Sequence, residues 1–160
     1  MAYLFNADEI FLIAEQIERN GVQFYGEAAR RFPPSRVLFL QLAQMEENHL
    51  KRFQELHKEV TEREAEALAA DPDQSAAQYL QAAAGGKVFN MAQGPAVLFQ
   101  TITTARGVIE KAISLEKDSI VFYLAVKEMV AKASGRDRID VIIREEMGHI
   151  TALTDHLSRV

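Results

Sequence analysis

The sequence repeats one spaced pattern of side chains, and this repeat constrains the fold more than any other feature. Each copy has a lone glutamate, a tyrosine seven residues later, and a Glu-x-x-His motif 28 or 30 residues after the lone glutamate. The two copies consist of Glu18, Tyr25, Glu46 and His49, and of Glu116, Tyr123, Glu146 and His149. They are offset by 98 to 100 residues. The repeat indicates two related halves that bring matching side chains to one site.

Proline and glycine divide the chain into segments that have helical periodicity. Pro33 and Pro34 end the first segment, because proline lacks the amide hydrogen that a helix needs. Ser35 and Asp137 are predicted N-caps, and Gly135 is predicted to stop the third long helix. The predicted long helices cover residues 6–31, 35–70, 95–134 and 137–158, and a predicted short helix covers residues 74–84.

The lengths of the connections predict how these helices are arranged. The links after the first and third long helices are short, so each joins antiparallel neighbours. The link between the second and third long helices, residues 71–94, is long enough to run the length of a bundle. The sequence therefore predicts one all-α domain over residues 1–160, a four-helix bundle with up-down-down-up topology.

The acidic and imidazole side chains of the repeat lie on the apolar faces of these helices. Glu18 falls in a stripe with Ala14 and Val22, at steps of four residues. The other three long helices place their own Glu or His residues in the same way. Residues i and i+3 share a helix face, so Glu46 and His49 can reach the same ion from one helix.

Four carboxylates in one core would repel each other strongly unless a cation is present. Two divalent ions would balance their charge, and neutral imidazoles would complete the coordination without adding charge. The predicted metal ligands are therefore Glu18, Glu46, His49, Glu116, Glu146 and His149, with Glu46 and Glu146 bridging the ions. A buried ion network without metal is the alternative, in which the lone glutamates would pair with Arg or Lys.

Other polar residues of the helices receive different assignments. Tyr25 and Tyr123 lie two turns beyond the lone glutamates on the same stripes. There they can hydrogen-bond to ligands, and they are the candidate catalytic residues. The residues expected near the surface are Glu15, Glu47, His57, Glu145 and His156. An additional role at the metal site is the alternative for Glu15, His57 and His156.

Bulk properties exclude several classes of site and partner. The chain has no cysteine, which excludes disulfides, thiol catalysis and cysteine-ligated iron–sulfur clusters. A net charge of −5 argues against a dedicated nucleic-acid binder. No apolar run approaches the roughly 20 residues needed to span a bilayer, so no membrane partner is expected. The N-terminus lacks the basic start and cleavage site of a signal peptide, and a cytoplasmic location is expected.

The residues around the two motifs resemble the rubrerythrin family of ferritin-like di-iron proteins. In the first half, the resemblance rests on residues 18–25 (ERNGVQFY) and 39–49 (FLQLAQMEENH). In the second half, it rests on residues 116–123 (EKDSIVFY) and 145–149 (EEMGH). The resemblance implies a ferritin-like bundle with a non-haem di-iron site on the six predicted ligands. It also implies a reaction with hydrogen peroxide or oxygen.

The chain departs from that family at positions that bear on electron supply and reaction. Rubrerythrins proper carry a cysteine-ligated rubredoxin domain, which is not found here, so an electron donor would be a separate protein. Ile113 stands where the family has an additional carboxylate, and His149 where the last helix commonly offers a second carboxylate. The six-ligand set is closer to the symmetric one of bacterioferritin.

Two functions are compatible with these residues. The main prediction is a di-iron oxidoreductase that reduces hydrogen peroxide or oxygen. The alternative is an iron-binding or ferroxidase protein that handles iron without turnover. Manganese and zinc also suit carboxylate and imidazole ligands, so they are alternative occupants to two iron ions. A homodimer is expected because C2 dimers are the commonest assembly, with the short helix at residues 74–84 as its predicted contact.

Overall fold

The structure is a computed structural model, and it describes residues 7–61 and 94–160 of the chain. The helices in these ranges are α1 (Ala7–Arg31), α2 (Arg36–Thr61), the single-turn α3 (Leu98–Thr101), α4 (Ala105–Met129) and α5 (Ala133–Leu157). Short 3-10 turns at Pro33–Ser35 and Pro95–Val97 precede α2 and α3. The two described ranges contain helices and no strand, which confirms the predicted all-α class.

Contacts between side chains of different helices fix the direction of each long helix. Tyr25 of α1 bonds to Glu116 of α4, and Tyr123 of α4 bonds to Glu18 of α1, so these two helices are antiparallel. Ion pairs show the same relation between α1 and α2 and between α4 and α5. Helices α1 and α5 therefore run in one direction and α2 and α4 in the other, as predicted. The end of α2 and the start of α4 consequently lie at opposite ends of the bundle.

Two apolar clusters fill the bundle on either side of its middle. The first cluster includes Ile10, Phe11, Ala14, Phe53, Leu56, Phe122, Tyr123, Val126, Ile139 and Ile142. The second includes Phe24, Tyr25, Ala28, Phe39, Leu42, Phe99, Val108, Ile109, Ala112 and Leu153. Each large apolar side chain of this kind contributes about 1.5–3 kcal/mol when it is removed from water. The clusters therefore hold the four long helices together on both sides of the acidic residues.

The prediction of one continuous helix over residues 95–134 is wrong. The chain leaves helical geometry at Ile102, where φ is −96° and ψ is 108°, and α4 starts at Ala105. The residues from Ile102 to Thr104 are all β-branched, which lowers their helix propensity. The Thr104 hydroxyl also accepts a hydrogen bond of 3.1 Å from the amide of Gly107. This N-cap starts a new helix, and α3 is left as a separate turn.

The junction between α4 and α5 also differs from the prediction. Helix α4 ends at Met129, and α5 begins at Ala133, so Gly135 lies inside the first turn of α5 and does not stop a helix. The predicted cap, Asp137, lies further inside α5. A Cβ atom on Gly135 would lie 2.7 Å from Cγ1 of Val130, which is closer than atoms can approach. Glycine is needed here because the two helices meet so closely.

The remaining predicted bounds agree with the described part of the chain or lie outside it. The first predicted helix, residues 6–31, agrees with α1 from Ala7 to Arg31, and its predicted first residue lies outside the described residues. Helix α2 begins one residue after the predicted start at Ser35. The predicted end of the second helix at residue 70 lies outside the described residues. The predicted short helix and nearly all of the 71–94 connection do so too. No helix in the described ranges is both long and apolar enough to cross a membrane.

Glycine-to-alanine substitutions test the packing at the junction. Gly135→Ala should lower the free energy of unfolding by about 1–3 kcal/mol, because the buried and stiff Val130 side chain must move. Gly26 lies in α1 with open space around its Cβ position. Gly26→Ala should therefore raise the free energy of unfolding by up to about 1 kcal/mol, because alanine favours helix. Urea unfolding followed by circular dichroism measures both values, and equal effects would contradict the close contact at Gly135.

Candidate metal centre

Four helices each direct acidic side chains to the middle of the bundle. Helix α1 contributes one glutamate, α4 contributes another, and α2 and α5 each contribute a Glu-x-x-His pair. All six side chains are buried, namely Glu18, Glu46, His49, Glu116, Glu146 and His149. The structure thus brings together every residue that the sequence predicted as a ligand. That they bind metal stays a prediction.

The six residues form two overlapping groups that share two carboxylates. One group consists of Glu18, Glu46, His49 and Glu146, and the other consists of Glu46, Glu116, Glu146 and His149. Within each group, one potential ligand atom from each residue lies within 4.8 Å of the others. The overlap indicates two neighbouring metal positions.

Glu46 and Glu146 have the geometry of bridging ligands. Glu146 places Oε1 at 3.1 Å from His49 Nδ1 and Oε2 at 2.7 Å from His149 Nδ1. Glu46 places Oε2 at 3.8 Å from His49 Nδ1 and Oε1 at 3.3 Å from His149 Nδ1. Each of the two carboxylates therefore directs one oxygen to each imidazole. The imidazole rings are stacked, with centroids 5.5 Å apart.

The lone glutamates each face one imidazole, as terminal ligands would. Glu18 Oε2 lies 3.7 Å from His49 Nδ1, and Glu116 Oε1 lies 3.4 Å from His149 Nδ1. With three carboxylates around each Nδ1 atom, the two halves of the site have the same ligand set.

Two tyrosine hydroxyls hold the lone glutamates across the bundle. Tyr25 donates to Glu116 Oε1, and Tyr123 donates to Glu18 Oε1, so each tyrosine serves the other half of the repeat. Burial and repulsion from the neighbouring carboxylates raise the pKa of both tyrosines well above the usual range. The tyrosines therefore stay neutral and keep the hydrogens that they donate.

Several buried polar atoms in the cluster have no hydrogen-bond partner. They are Oε2 of Glu18, Oε2 of Glu146 and both ring nitrogens of His149. A buried unpaired polar atom costs about 1–3 kcal/mol, so native proteins rarely leave one. These atoms belong to residue types that bind metal, and four of the six residues carry negative charge when ionised. The residues present therefore fit a pair of divalent metal ions.

Without a cation, the cluster retains protons. Burial and repulsion from neighbouring carboxylates raise the pKa of Glu18 and of Glu116 well above the usual range. Burial lowers the pKa of His149, but the three carboxylates that lie 2.7–3.4 Å from its Nδ1 atom favour the protonated ring and raise the pKa to about 12. The pKa of His49 is raised by the same balance of causes. The retained protons offset negative charge that metal ions would otherwise balance.

Gly21 gives the Glu46 side chain room to pass α1. A Cβ atom at this position would lie 3.0 Å from Cγ and 3.1 Å from Cδ of Glu46. Sequence reasoning gave this glycine no role. A glycine inside a long helix costs about 1 kcal/mol relative to alanine, and this cost was the available signal.

A carboxylate outside the predicted set supports His49 from behind. Glu145 Oε2 lies 2.8 Å from His49 Nε2, and the Arg52 guanidinium donates to the same oxygen at 2.7 Å. Because the carboxylate accepts, Nε2 carries the hydrogen, and Nδ1 is the nitrogen that faces the cluster. The expectation that Glu145 is solvated is therefore wrong in part, since its side chain is 33% exposed but bonded to a predicted ligand.

A second polar cluster lies closer to the start of α1. The Glu15 carboxylate is buried and accepts from His57 Nδ1 at 2.7 Å and from Arg19 at 2.8 Å. Asp8 accepts from His57 Nε2 at 2.8 Å. The expectation that Glu15 is solvated is wrong, because these cationic partners compensate its burial. Both ring nitrogens of His57 are engaged away from the metal centre, as expected for a residue that is not a ligand.

The last two surface assignments agree with the structure. Glu47 is 50% exposed and lies 3.7 Å from Lys51 on the outer face of α2. His156 lies near the end of α5, where its Nε2 is 2.8 Å from the Ser35 hydroxyl. Neither residue reaches the six buried side chains.

Comparison with known proteins supports this interpretation of the fold and the site. No curated protein matches the chain. The fold is similar to that of a Thermotoga maritima protein described provisionally as a ferritin-like diiron-carboxylate protein, with a TM-score of 0.70. The two chains are 22% identical, and the match covers 99% of this chain and 98% of the other. This likeness confirms the predicted ferritin-like bundle.

The sequence itself assigns the family. The profile of the Rubrerythrin family matches residues 9–157, a range that contains all six buried Glu and His residues of the cluster. The chain therefore belongs to the rubrerythrin family.

Proposed function

We propose that this chain is a non-haem di-iron oxidoreductase that reduces hydrogen peroxide or oxygen with electrons from a separate donor protein. The observation that carries the proposal is the pair of buried four-residue groups that share Glu46 and Glu146. Two positions with two shared carboxylates suit a pair of metal ions a few ångströms apart. Membership of the rubrerythrin family supports iron over manganese or zinc.

Charge balance supports two divalent ions. Four ionised carboxylates bring four negative charges, which two divalent cations neutralise, and neutral imidazoles add none. Removing one charge from such a balanced buried set leaves one opposite charge without compensation, which is strongly destabilising. The same balance explains why protons remain on the cluster when no cation is bound.

The chemistry of peroxide reduction sets what the protein must provide. The reaction uses two electrons and two protons, breaks the O–O bond and yields two water molecules. Two redox-active ions in the site would supply one electron each, and the donor protein would restore them. The chain provides the shared carboxylates that fix the separation of the two positions. Its two apolar clusters keep water away from them.

The tyrosines are proposed to orient the lone glutamates. Tyr123 holds Glu18 through Oε1, so the unpaired Oε2 is left to bind a metal ion. Tyr25 holds Glu116 in the same way from the other side of the bundle. A neutral buried hydroxyl beside each terminal carboxylate also keeps a proton within one hydrogen bond of the site. A catalytic role for the tyrosines is part of this proposal.

Iron handling is the second candidate function, and the equal ligand sets of the two groups favour it. Each group has three carboxylates and one imidazole, a symmetric arrangement that also suits simple oxidation of iron. The two functions differ in turnover. Repeated consumption of peroxide in the presence of a reductant supports the oxidoreductase, whereas a single oxidation per site supports iron handling. A homodimer and a cytoplasmic location stay predictions.

Neighbouring glutamates on α2 provide a matched test of the site. Glu46→Gln should lower the affinity for iron by more than about 100-fold and abolish peroxide turnover, because it removes a shared charged ligand. Glu47→Gln should leave both within about twofold, since that side chain is 50% exposed. Iron content after anaerobic loading and peroxide consumption with a chemical reductant measure the two effects. A Glu46→Gln protein that still holds two irons and turns over peroxide would contradict the proposal.

Metal binding should become stronger as the pH rises. The raised pKa values of Glu18, Glu116 and both histidines mean that metal must displace protons that the cluster retains. Affinity should then increase about tenfold per pH unit for each proton released. Calorimetric titration with Mn²⁺ between pH 5.5 and pH 7.5, about one unit to either side of the ordinary histidine pKa, measures the slope. An affinity for Mn²⁺ that does not change with pH would contradict the prediction that the metal-free cluster retains protons.

Thermal unfolding provides the control for that measurement. A raised pKa stabilises the folded state fully below the unfolded-state pKa, and this stabilisation is lost as the pH rises through the folded-state value. In the unfolded chain, histidine has its ordinary pKa of about 6.5. The metal-free protein should therefore lose stability between about pH 5.5 and pH 7.5, a range that spans this value. The rise in melting temperature caused by Mn²⁺ should widen over the same range. The raised pKa of His57 affects both forms, so it cancels in this difference.

A further inference from the structure

The two halves of the metal centre have equal ligands. Helices α2 and α5 correspond at an offset of 100 residues, which matches Glu46 with Glu146 and His49 with His149. Each histidine directs Nδ1 to three carboxylates. If the ligands alone decided affinity, the two metal positions would therefore be equivalent.

The residues behind the two histidines break this equivalence. At the same offset, Glu145 corresponds to Met45, and Arg52 corresponds to Ala152. One half thus has a carboxylate and a guanidinium where the other half has a thioether and a methyl group. Neither Met45 nor Ala152 can accept a hydrogen bond of comparable strength from an imidazole.

The structure shows the consequence at the two Nε2 atoms. His49 Nε2 donates to Glu145 at 2.8 Å, and Arg52 holds the same carboxylate oxygen at 2.7 Å. His149 Nε2 is buried and has no hydrogen-bond partner among the described residues. The two imidazoles are therefore supported differently, although their Nδ1 atoms face the same kind of ligand cluster.

We propose that Glu145, held by Arg52, makes the two metal positions unequal, so that the position at His49 binds a divalent metal ion more tightly than the position at His149. This inference rests on the proposed di-metal function. A carboxylate behind a ligating histidine fixes the tautomer, orients the ring and raises the basicity of the nitrogen that binds metal. Such partners change metal affinity by about 10–100-fold. The position at His149 is then the one that exchanges its ion more readily.

Glu145 acts in this account through His49, so it is a positioning residue. The Glu145 and Arg52 side chains are 33% and 38% exposed, and a partly exposed ion pair of this kind stabilises a fold only weakly. A purely structural pair would alter the melting temperature of the protein. It would not alter one metal-binding step relative to the other, and this ratio is the decisive quantity.

Calorimetric titration of the metal-free protein with Mn²⁺ measures the two steps. The wild type should show two steps of unequal affinity. Glu145→Ala should weaken the tighter step by about 10–100-fold and leave the weaker step within about twofold. Glu145→Gln keeps a neutral acceptor for Nε2, so it should weaken the tighter step by less. Unchanged affinity in Glu145→Ala would overturn the inference.

A reciprocal substitution tests the same idea without altering Glu145 or Arg52. Met45→Glu combined with Ala152→Arg places the missing pair behind His149. This double variant should strengthen the weaker step by about 10–100-fold and leave the tighter step within about twofold. A change in melting temperature without any change in the ratio of the two steps would assign the pair a structural role and overturn the inference.

The same titration separates failure of the inference from failure of the proposed function. Because Glu46 and Glu146 are shared, the second ion binds less favourably even in a symmetric site, so each variant is compared with the wild type. If the protein binds two ions, but the ratio of the two affinities is the same in the wild type and in Glu145→Ala, the inference is overturned and the proposed di-metal site is retained. A wild type that binds no Mn²⁺ and no Fe²⁺ would overturn both.

Discussion

Repulsion among four buried carboxylates is the constraint on which the rest of this structure depends. An unpaired buried carboxylate is unstable in an apolar core, and four of them in one cluster cannot all stay ionised without positive charge. Metal ions, protons or cationic side chains must therefore compensate them. The nearest basic groups to Glu18 and Glu116 among the described ion pairs are the two imidazoles. In the proposed di-metal site, the cluster would therefore alternate between a protonated state and a metal-loaded state.

The bundle provides a rigid frame for this cluster. Four helices contribute the six side chains, and apolar clusters on both sides fix the spacing of the helices. Tyr25 and Tyr123 link α1 and α4 through the lone glutamates, so the frame and the site share the same hydrogen bonds. Gly21 allows Glu46 to reach the centre without displacing α1. The geometry of the cluster therefore depends on residues from four helices, and a small shift of one helix would disrupt it.

The sequence predicted those features that follow from periodicity within one helix. The apolar stripes placed the six Glu and His residues on inward faces, and the structure brings all six together. Their role as ligands stays a prediction. The break before α4 was missed because it depends on the Thr104 cap and on a short β-branched run, which a continuous apolar pattern conceals.

Contacts between helices were not predictable from these patterns. Glu15 was assigned to the surface because carboxylates are usually solvated, and Glu145 because it points away from the ligand face of its own helix. Each nevertheless bonds to a histidine on another helix. Such pairings depend on the axial register and rotation of two helices, which a single helix does not encode. Comparing the two halves of the repeat position by position would have shown that Glu145 and Arg52 have no counterparts in the other half.

Anomalous X-ray scattering from crystals loaded with iron tests the proposed di-metal site, because it locates metal ions independently of any assumed ligand. We expect two peaks per chain, about 3.5–4 Å apart, between Glu46 and Glu146, one beside His49 and the other beside His149. A map with no peak among the six buried side chains, at full iron loading, would contradict a di-metal site in this bundle.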